Sequence, residues 1–397
     1  MSTLNSLSNV FDTPAHVSYR GVAFYAKASV KLSPSVKNTR IMTDAFGALG
    51  ARKGDVGITV DLEPAGEWEA AAYALLHPYT TLKRGMPIGV TRLSCTAANI
   101  NTTTERLSIT AHGLSNGDKM WLGTTGVMPT VSTTALSTGT AVYAKAIDAD
   151  TLELYEEVGL ATKINFTGQG TGSLLLTRDN ALQIYLLNYG QKLTLHNAAL
   201  VGIPDLNAGA TVTPFGSAKF EAFLRSGYTP GTAGSYWSVS EEEWSDTSFD
   251  PASILTQPLT VAWGASAPWS DLDLAEAAKI SFNLKTTEVM ADAFGLRGRK
   301  LDDIEITATL KPRGINAYQA LTQLAIESAR GATRSLGTLN ISGTNFYFRG
   351  YASDVQEMPH EFGGAAALHG DFKLTLLRTI TAGAADARYY VGTSAPA

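Results

Sequence analysis

At 397 residues the chain has room for two or three domains, each large enough to bury a core. The net charge of −5 excludes a general affinity for nucleic-acid phosphates, and the single cysteine, Cys95, excludes an intrachain disulfide. The charged fraction is 17%, below the roughly 25% usual for soluble domains.

A lightly charged surface rich in Thr, Ser, Ala and Gly suits a protein that buries much of its outside in an assembly; a monomer with a neutral polar surface is the plainer reading. The start Met1-Ser2-Thr3-Leu4-Asn5 has no basic residue followed by an apolar run, so no signal peptide is expected. No stretch of about 18 apolar residues occurs, so no membrane-spanning helix and no membrane partner are expected, and the chain is expected to fold in a cytoplasm.

In chain order, the first clear strand carries Ala28, Val30 and Leu32. A loop of roughly 15 to 20 residues follows, long for a hairpin, with Met42-Thr43-Asp44-Ala45-Phe46-Gly47 inside it. The next strand alternates Val56, Ile58, Val60 and Leu62 with Asp55, Gly57, Thr59, Asp61 and Glu63, so one face meets a core and the other meets solvent or a partner. Pro64 ends it, Gly66 follows, and Trp68, Ala72 and Leu75 then recur at helical spacing.

From about Thr91 to Thr177 the composition shifts to Thr, Gly and Ser. Short strands are predicted at 107–110, 119–123, 141–147 and 152–156, with a tight turn at Asp148-Ala149-Asp150. Short strands with frequent turns predict a small β-sandwich or barrel inserted into a host domain, with adjacent ends and a place on the outer surface.

A closing strand at Phe223-Leu224-Arg225-Ser226 completes the host. The stretch 235–251, with Glu241, Glu242 and Glu243 between Trp237 and Trp244, reads as a connection. Two roles are open for it: contact with a neighbouring subunit, or a solvated linker whose tryptophans cover a core edge.

The unit then recurs. Met290-Ala291-Asp292-Ala293-Phe294-Gly295 repeats the earlier motif at an offset of 248, and from 31–76 against 279–324 the ungapped alignment keeps 18 of 46 residues. Unrelated chains match at roughly a twentieth of positions, so the chain holds two copies of one unit. Ala278, Ile280, Phe282 and Leu284 make the second copy's first strand; Ile304, Ile306, Ala308 and Leu310 make the next, ending at Pro312. A helix is predicted through Ala317, Leu321 and Leu324, and Leu376-Leu377-Arg378-Thr379 matches the first copy's closing strand.

The domains expected are therefore 1–90 with 178–234, the insertion 91–177, the linker 235–251, the second copy 252–381, and an arm or tail at 382–397.

Chemistry is sparse. None of the six histidines lies three or four positions from another, and with one cysteine no zinc site is expected. Asp148 with Asp150, and Asp271 with Asp273, read as turn formers because neither pair has a full calcium loop. Gly168-Gln169-Gly170-Thr171-Gly172 lacks the Lys-Ser/Thr of a phosphate loop, and no Gly-x-Ser-x-Gly elbow is present. No cofactor and no enzymatic activity are expected. The candidate functional residues are those of the repeated motif: Met42, Asp44 and Phe46, with Met290, Asp292 and Phe294. They either reach a neighbouring subunit or tuck under their own copy.

Two copies of a β-sandwich unit with a flanking helix and a long strand connection resemble the tail tube proteins of long-tailed bacteriophages. His112-Gly113-Leu114-Ser115-Asn116-Gly117-Asp118, with Asp148-Ala149-Asp150-Thr151-Leu152-Glu153-Leu154, resembles small β-modules of phage virion proteins. The resemblance implies a virion subunit, made and assembled in the host cytoplasm, that self-associates into rings stacked as a tube. A chain with two copies implies a homotrimeric ring of pseudo-six-fold symmetry, with the motif loops meeting between rings. It implies as partners the tail terminator, tape measure and baseplate proteins, and DNA passing through the lumen without specific binding. A baseplate hub or distal tail component of the same fold, and a carbohydrate-binding adhesin, are the alternative readings.

Overall fold

The computed structural model describes residues 14–43, 47–66, 68–80, 84–132, 135–186, 190–209, 215–225, 228, 232–242, 260–264, 272–273, 277–292, 295–311, 337–343, 346–357, 372–377 and 388–396. The molecule is mainly β and divides into two compact units, residues 1–88 with 181–397, and residues 89–180.

The first unit opens with β1 (Pro14–Tyr19), which turns through Arg20 and Gly21, both at positive φ, into β2 (Val22–Thr43). Positive φ at both central residues matches the twist of a tight hairpin. β2 then pairs along its length with β3 (Gly47–Gly66). The expected alternation is present: Ile58, Val60 and Leu62 are buried, Thr59 and Asp61 half-buried, and Glu63 exposed.

Helix α1 (Trp68–Leu75) buries Ala72 and Leu75 and lays Trp68 against the same core. It is the only α-helix among the described residues. A short 3-10 turn, His77–Tyr79, and β4 (Pro87–Ile88) follow.

The second unit holds β5 (Val90–Thr96), β6 (Ile100–Asn101), β7 (Arg106–Ser108), β8 (Lys119–Thr124), β9 (Thr130–Val131), β10 (Ala141–Ala146), β11 (Thr151–Tyr155), β12 (Phe166–Gly168) and β13 (Ser173–Asp179). Seven of these form an antiparallel sheet in the order β5-β13-β8-β10-β11-β7-β6, and β12 pairs with β9. The four predicted strands correspond to β7, β8, β10 and β11. Met120, Leu122, Val142, Ala144, Leu152 and Leu154 belong to a core of the unit's own. The Asn180 N–H donates to the Gly89 carbonyl at 2.8 Å, so the module's ends meet.

The first unit resumes with β14 (Leu182–Leu186), β15 (Gln191–Leu195), β16 (Ala198–Gly202), β17 (Leu206–Gly209), β18 (Ala218–Ala222) and β19 (Trp237–Glu241). All but β17 join β1, β2 and β3 in the order β16-β18-β3-β2-β1-β14-β15-β19. The second copy supplies β20 (Thr260–Gly264), β21 (Leu272–Asp273), β22 (Ala277–Asp292), β23 (Gly295–Lys311), β24 (Gly337–Gly343), β25 (Phe346–Glu357), β26 (Phe372–Leu377) and β27 (Tyr389–Gly392). Its sheet runs β22-β23-β26-β25-β24-β20-β21, with β27 on β25. Residues of both copies share one core, in which Val60, Leu62 and Phe220 lie with Ile280, Ile306 and Phe348.

The repeat is visible in the pairing. The β2–β3 and β22–β23 hairpins correspond at the 248-residue offset, and β18 and β26 take the same place beside β3 and β23. Phe220 faces Val60 as Leu374 faces Ala308. The closing strands therefore correspond one residue out of the register expected from Phe223 and Leu376. Even an irregularity is duplicated: β16 has a register shift between Leu200 and Gly202, with Gly202 opposite Lys219, and β25 has one between Val355 and Glu357, with Glu357 opposite Lys373.

Three expectations are corrected. The strands on either side of the expected long loop run on toward the repeated motif, paired with register shifts as far as Thr43 with Gly47 and Asp292 with Gly295. In the first copy Pro34 falls within a register shift between Lys31 and Ser35, where a missing N–H costs no ladder bond. The expected linker begins as strand: β19 pairs with β15, Leu195 opposite Trp237 and Gln191 opposite Glu241. The expected C-terminal arm contains β27, with Tyr389 and Val391 buried in the second copy's sheet. The helix expected through Ala317, Leu321 and Leu324 lies outside the described residues.

Candidate functional site

The residues singled out by sequence fall at one kind of place. Met42 lies near the end of β2, and Met290 and Asp292 near the end of β22, at the tips of corresponding hairpins. Asp44, Phe46 and Phe294, and likewise Glu243 and Trp244, lie outside the described residues. Trp237 is half-buried against the core, whereas Glu241 is exposed. Glu242 is exposed and ion-paired with Lys192. Trp237 thus packs against the core.

Sequence reasoning did not find β17. This short strand leaves the first copy's sheet after β16 and pairs antiparallel with β22 of the second copy, Leu206 opposite Ile280 and Gly209 opposite Ala277. Leu206 and Ala208 are buried, and the Asp205 carboxylate meets Lys279 Nζ at 2.8 Å. On the other side of the hairpin, β4 pairs with β23 at Arg299 and Lys300. Arg299 Nε donates to Glu221 Oε2 at 2.6 Å; that hydrogen bond and the neighbouring Glu221 and Glu288 charges raise the guanidinium pKa despite partial burial. Tyr389 Oη donates to the Leu76 carbonyl at 2.7 Å, tying β27 to the end of α1. The first copy therefore meets the second through two short strand pairings, two ion pairs and a buried hydrogen bond. The one advance signal was the alternation Leu206-Asn207-Ala208 after Pro204, too short to stand out.

The opposite edge of β2 is different. β1 covers it only from Val22 to Lys27. Among the described residues, no strand pairs with that edge from Ala28 onward. A row of unpaired backbone donors and acceptors on such an edge is a template for another strand.

The polar groups elsewhere have structural partners. In the module, His112 Nδ1 accepts from the Leu114 N–H at 3.0 Å, and Nε2 lies 2.9 Å from the Asp148 carbonyl, which fixes the Nε2–H tautomer. Asp150 Oδ1 accepts from the Ala111 N–H at 2.7 Å, and Asn116 Oδ1 from the Ala146 N–H at 2.9 Å. The two module motifs are one turn-to-turn clasp, with its aspartates used on backbone donors. The buried Glu153 carboxylate meets Arg106 at 3.1 Å, Lys163 at 3.0 Å and the Tyr155 hydroxyl at 3.0 Å. Desolvation pushes its pKa up, but hydrogen bonds from Lys163, Arg106 and Tyr155 outweigh it, and the group is held below the usual carboxylate range.

Two arrangements invite a catalytic reading. His196 Nε2 lies 3.0 Å from Ser238 Oγ, but burial, with Arg225 nearby, lowers the imidazole pKa to about 4, too weak a base to activate a hydroxyl near neutrality. A cleft of about 460 Å³ is lined by Val22, Glu69, Tyr73, His77, Tyr390 and Thr393. Tyr73 stacks on His77 with ring centroids 4.5 Å apart, so the aromatic pair forms part of the wall. Among the described residues no group of three or more metal-ligating side chains converges, and no helix is long and apolar enough to cross a membrane.

No model of a known protein family matches the chain, and no curated protein matches it.

Proposed function

We propose that the chain is a structural subunit of a bacteriophage tail tube, in which three chains close a pseudo-six-fold ring and rings stack around a DNA-conducting lumen. The observation that carries this reading is the strand addition of β17 to β22. It joins two copies of one hairpin unit side by side within a single chain. Such a contact is heterologous, because the donating edge of one copy differs from the receiving edge of the next, and repeated heterologous contacts make a ring when the rotation between units closes. Two copies per chain fill six places with three chains.

The sparse charge and the net charge of −5 suit a wall that DNA slides past without adhering. Asp61 and Glu63, on the non-core face of β3, are groups such a wall would use, with Thr309 and Lys311 in the matching places of β23. The hairpin tips that carry Met42 and Met290 are the elements for contact between stacked rings. The protein then belongs to the virion tail, alongside terminator, tape measure and baseplate proteins.

Electron microscopy of the purified protein at high concentration tests the reading. Hollow tubes are expected, with three chains per ring by native mass measurement and the module repeated three times around it. Six whole chains per ring, or persistent monomers at high concentration, overturn it.

A further inference from the structure

The junction inside the chain has a counterpart that one chain cannot complete by itself. β17 follows β16 just after its register shift at Gly202, in the run Ile203-Pro204-Asp205-Leu206-Asn207-Ala208-Gly209-Ala210. β25 carries the same shift at Glu357 and is followed by Met358-Pro359-His360-Glu361-Phe362-Gly363-Gly364-Ala365. Proline, glycine and alanine recur in place: Pro204 with Pro359, Gly209 with Gly364, Ala210 with Ala365. Downstream, Gly216 and Lys219 before and within β18 recur as Gly370 and Lys373 before and within β26. The second copy thus has, in sequence, its own version of the donated strand, in residues outside those described.

The receiving edge is duplicated as well. β17 binds β22 at Ala277–Ile280, and the 248-residue offset carries these positions to Ser29–Leu32 of β2. There the edge has no strand partner among the described residues. Lys279, opposite Asn207, corresponds to Lys31.

We propose that the edge of β2 at Ser29–Leu32 receives residues 361–364 of a second copy of this chain as an antiparallel strand, with Lys31 opposite Phe362. It rests on the ring reading for the number of chains, and it names the contact that closes the ring. In each ring, three junctions are of the β17–β22 kind within a chain and three of the 361–364 kind between chains. Glu361 stands where Leu206 is buried, so the junction between chains is the more polar of the two. That suits a contact made after each chain has folded, when its edge has already been exposed to water.

The competing occupant is the chain's own N-terminus. Continuing the β1–β2 register beyond Pro14 opposite Lys27 would bring Val10 opposite Lys31. Paired residues on adjacent antiparallel strands lie about 4.5–5.5 Å apart at Cα, within reach of a disulfide. Cys95 stays in place as an inert background: it is buried, and that burial pushes its thiol pKa up to about 11.

The experiment mixes K31C chains with F362C chains under mild oxidation and reads the products on a non-reducing gel. A covalent heterodimer is expected from the mixture, and closed covalent trimers from the K31C/F362C double variant. The N207C/K279C variant, which should close within one chain, calibrates the oxidation. A bond within one chain for K31C/F362C, or for V10C/K31C, overturns the proposal. In the unmodified protein, amide exchange across residues 29–32 is expected to slow at least about tenfold between dilute and concentrated samples; unchanged exchange overturns the proposal without any variant. Tubes without the 31–362 bond would sink the strand addition and leave the tube reading standing. Covalent trimers that never stack into tubes would uphold the strand addition and sink the tube reading.

Discussion

Tyr389 in the last strand of the chain and Leu76 at the end of its only described helix, 313 residues apart, share a buried hydrogen bond of 2.7 Å. The phenol stacks on Phe348 with ring centroids 5.5 Å apart, and burial drives its pKa upward. Tyr389→Phe keeps the ring and removes one of two hydrogen bonds to the Leu76 carbonyl, which still accepts from the Tyr79 N–H at 3.1 Å. We expect a loss of about 0.5–1.5 kcal/mol in chemical unfolding, with the module's transition unchanged.

The Arg299–Glu221 pair reports on the contact between the copies. Both side chains are about one-fifth exposed, so screening is incomplete. Arg299→Ala and Glu221→Ala are each expected to destabilise the first unit, and the double variant to lose less than their sum. A coupling of about 0.5–3 kcal/mol in the double-mutant cycle is the expected reading.

His196 gives stability a pH dependence of known sign. Its folded pKa, about 4, lies below the ordinary histidine value of 6.5, so between these limits the unfolded chain binds more protons. Stability from this group is full above pH 6.5 and is lost as the pH falls toward 4. His196→Gln should flatten that part of the stability–pH curve, measured by chemical unfolding at each pH.

The module should fold by itself, since residues 89–180 have their own core and their ends are hydrogen-bonded together. A fragment of these residues is expected to unfold in one cooperative transition. Within it, Glu153→Gln weakens contacts to Arg106 and Lys163, and about 1–3 kcal/mol should be lost in urea titration.

Legibility in the sequence followed the range of each interaction. Ile58, Val60 and Leu62, or Ile304, Ile306 and Ala308, announced their strands because alternation is local and one face is buried. The duplication was legible because 248 residues separate its matching positions without a gap. The hairpin arms around Met42 were missed, since the interval between the two alternating strands was read by its length as a loop, and only pairing between its two halves makes it strand. β19 was missed because three consecutive glutamates outweighed the alternation before them. β17 was invisible because four residues carry too little periodicity, and its reason for being a strand is an edge some seventy positions downstream.

That distance sets an order of events during synthesis. At about 5–20 residues per second, the ribosome needs roughly 4–14 s to travel from Gly209 to Ile280. Throughout that interval the nascent first copy has Leu206 and Ala208 made and their partner strand missing. Two ribosomes on one message could hand these strands to each other, so that slow translation just after Gly209 would favour tangled dimers, and fast translation clean ones.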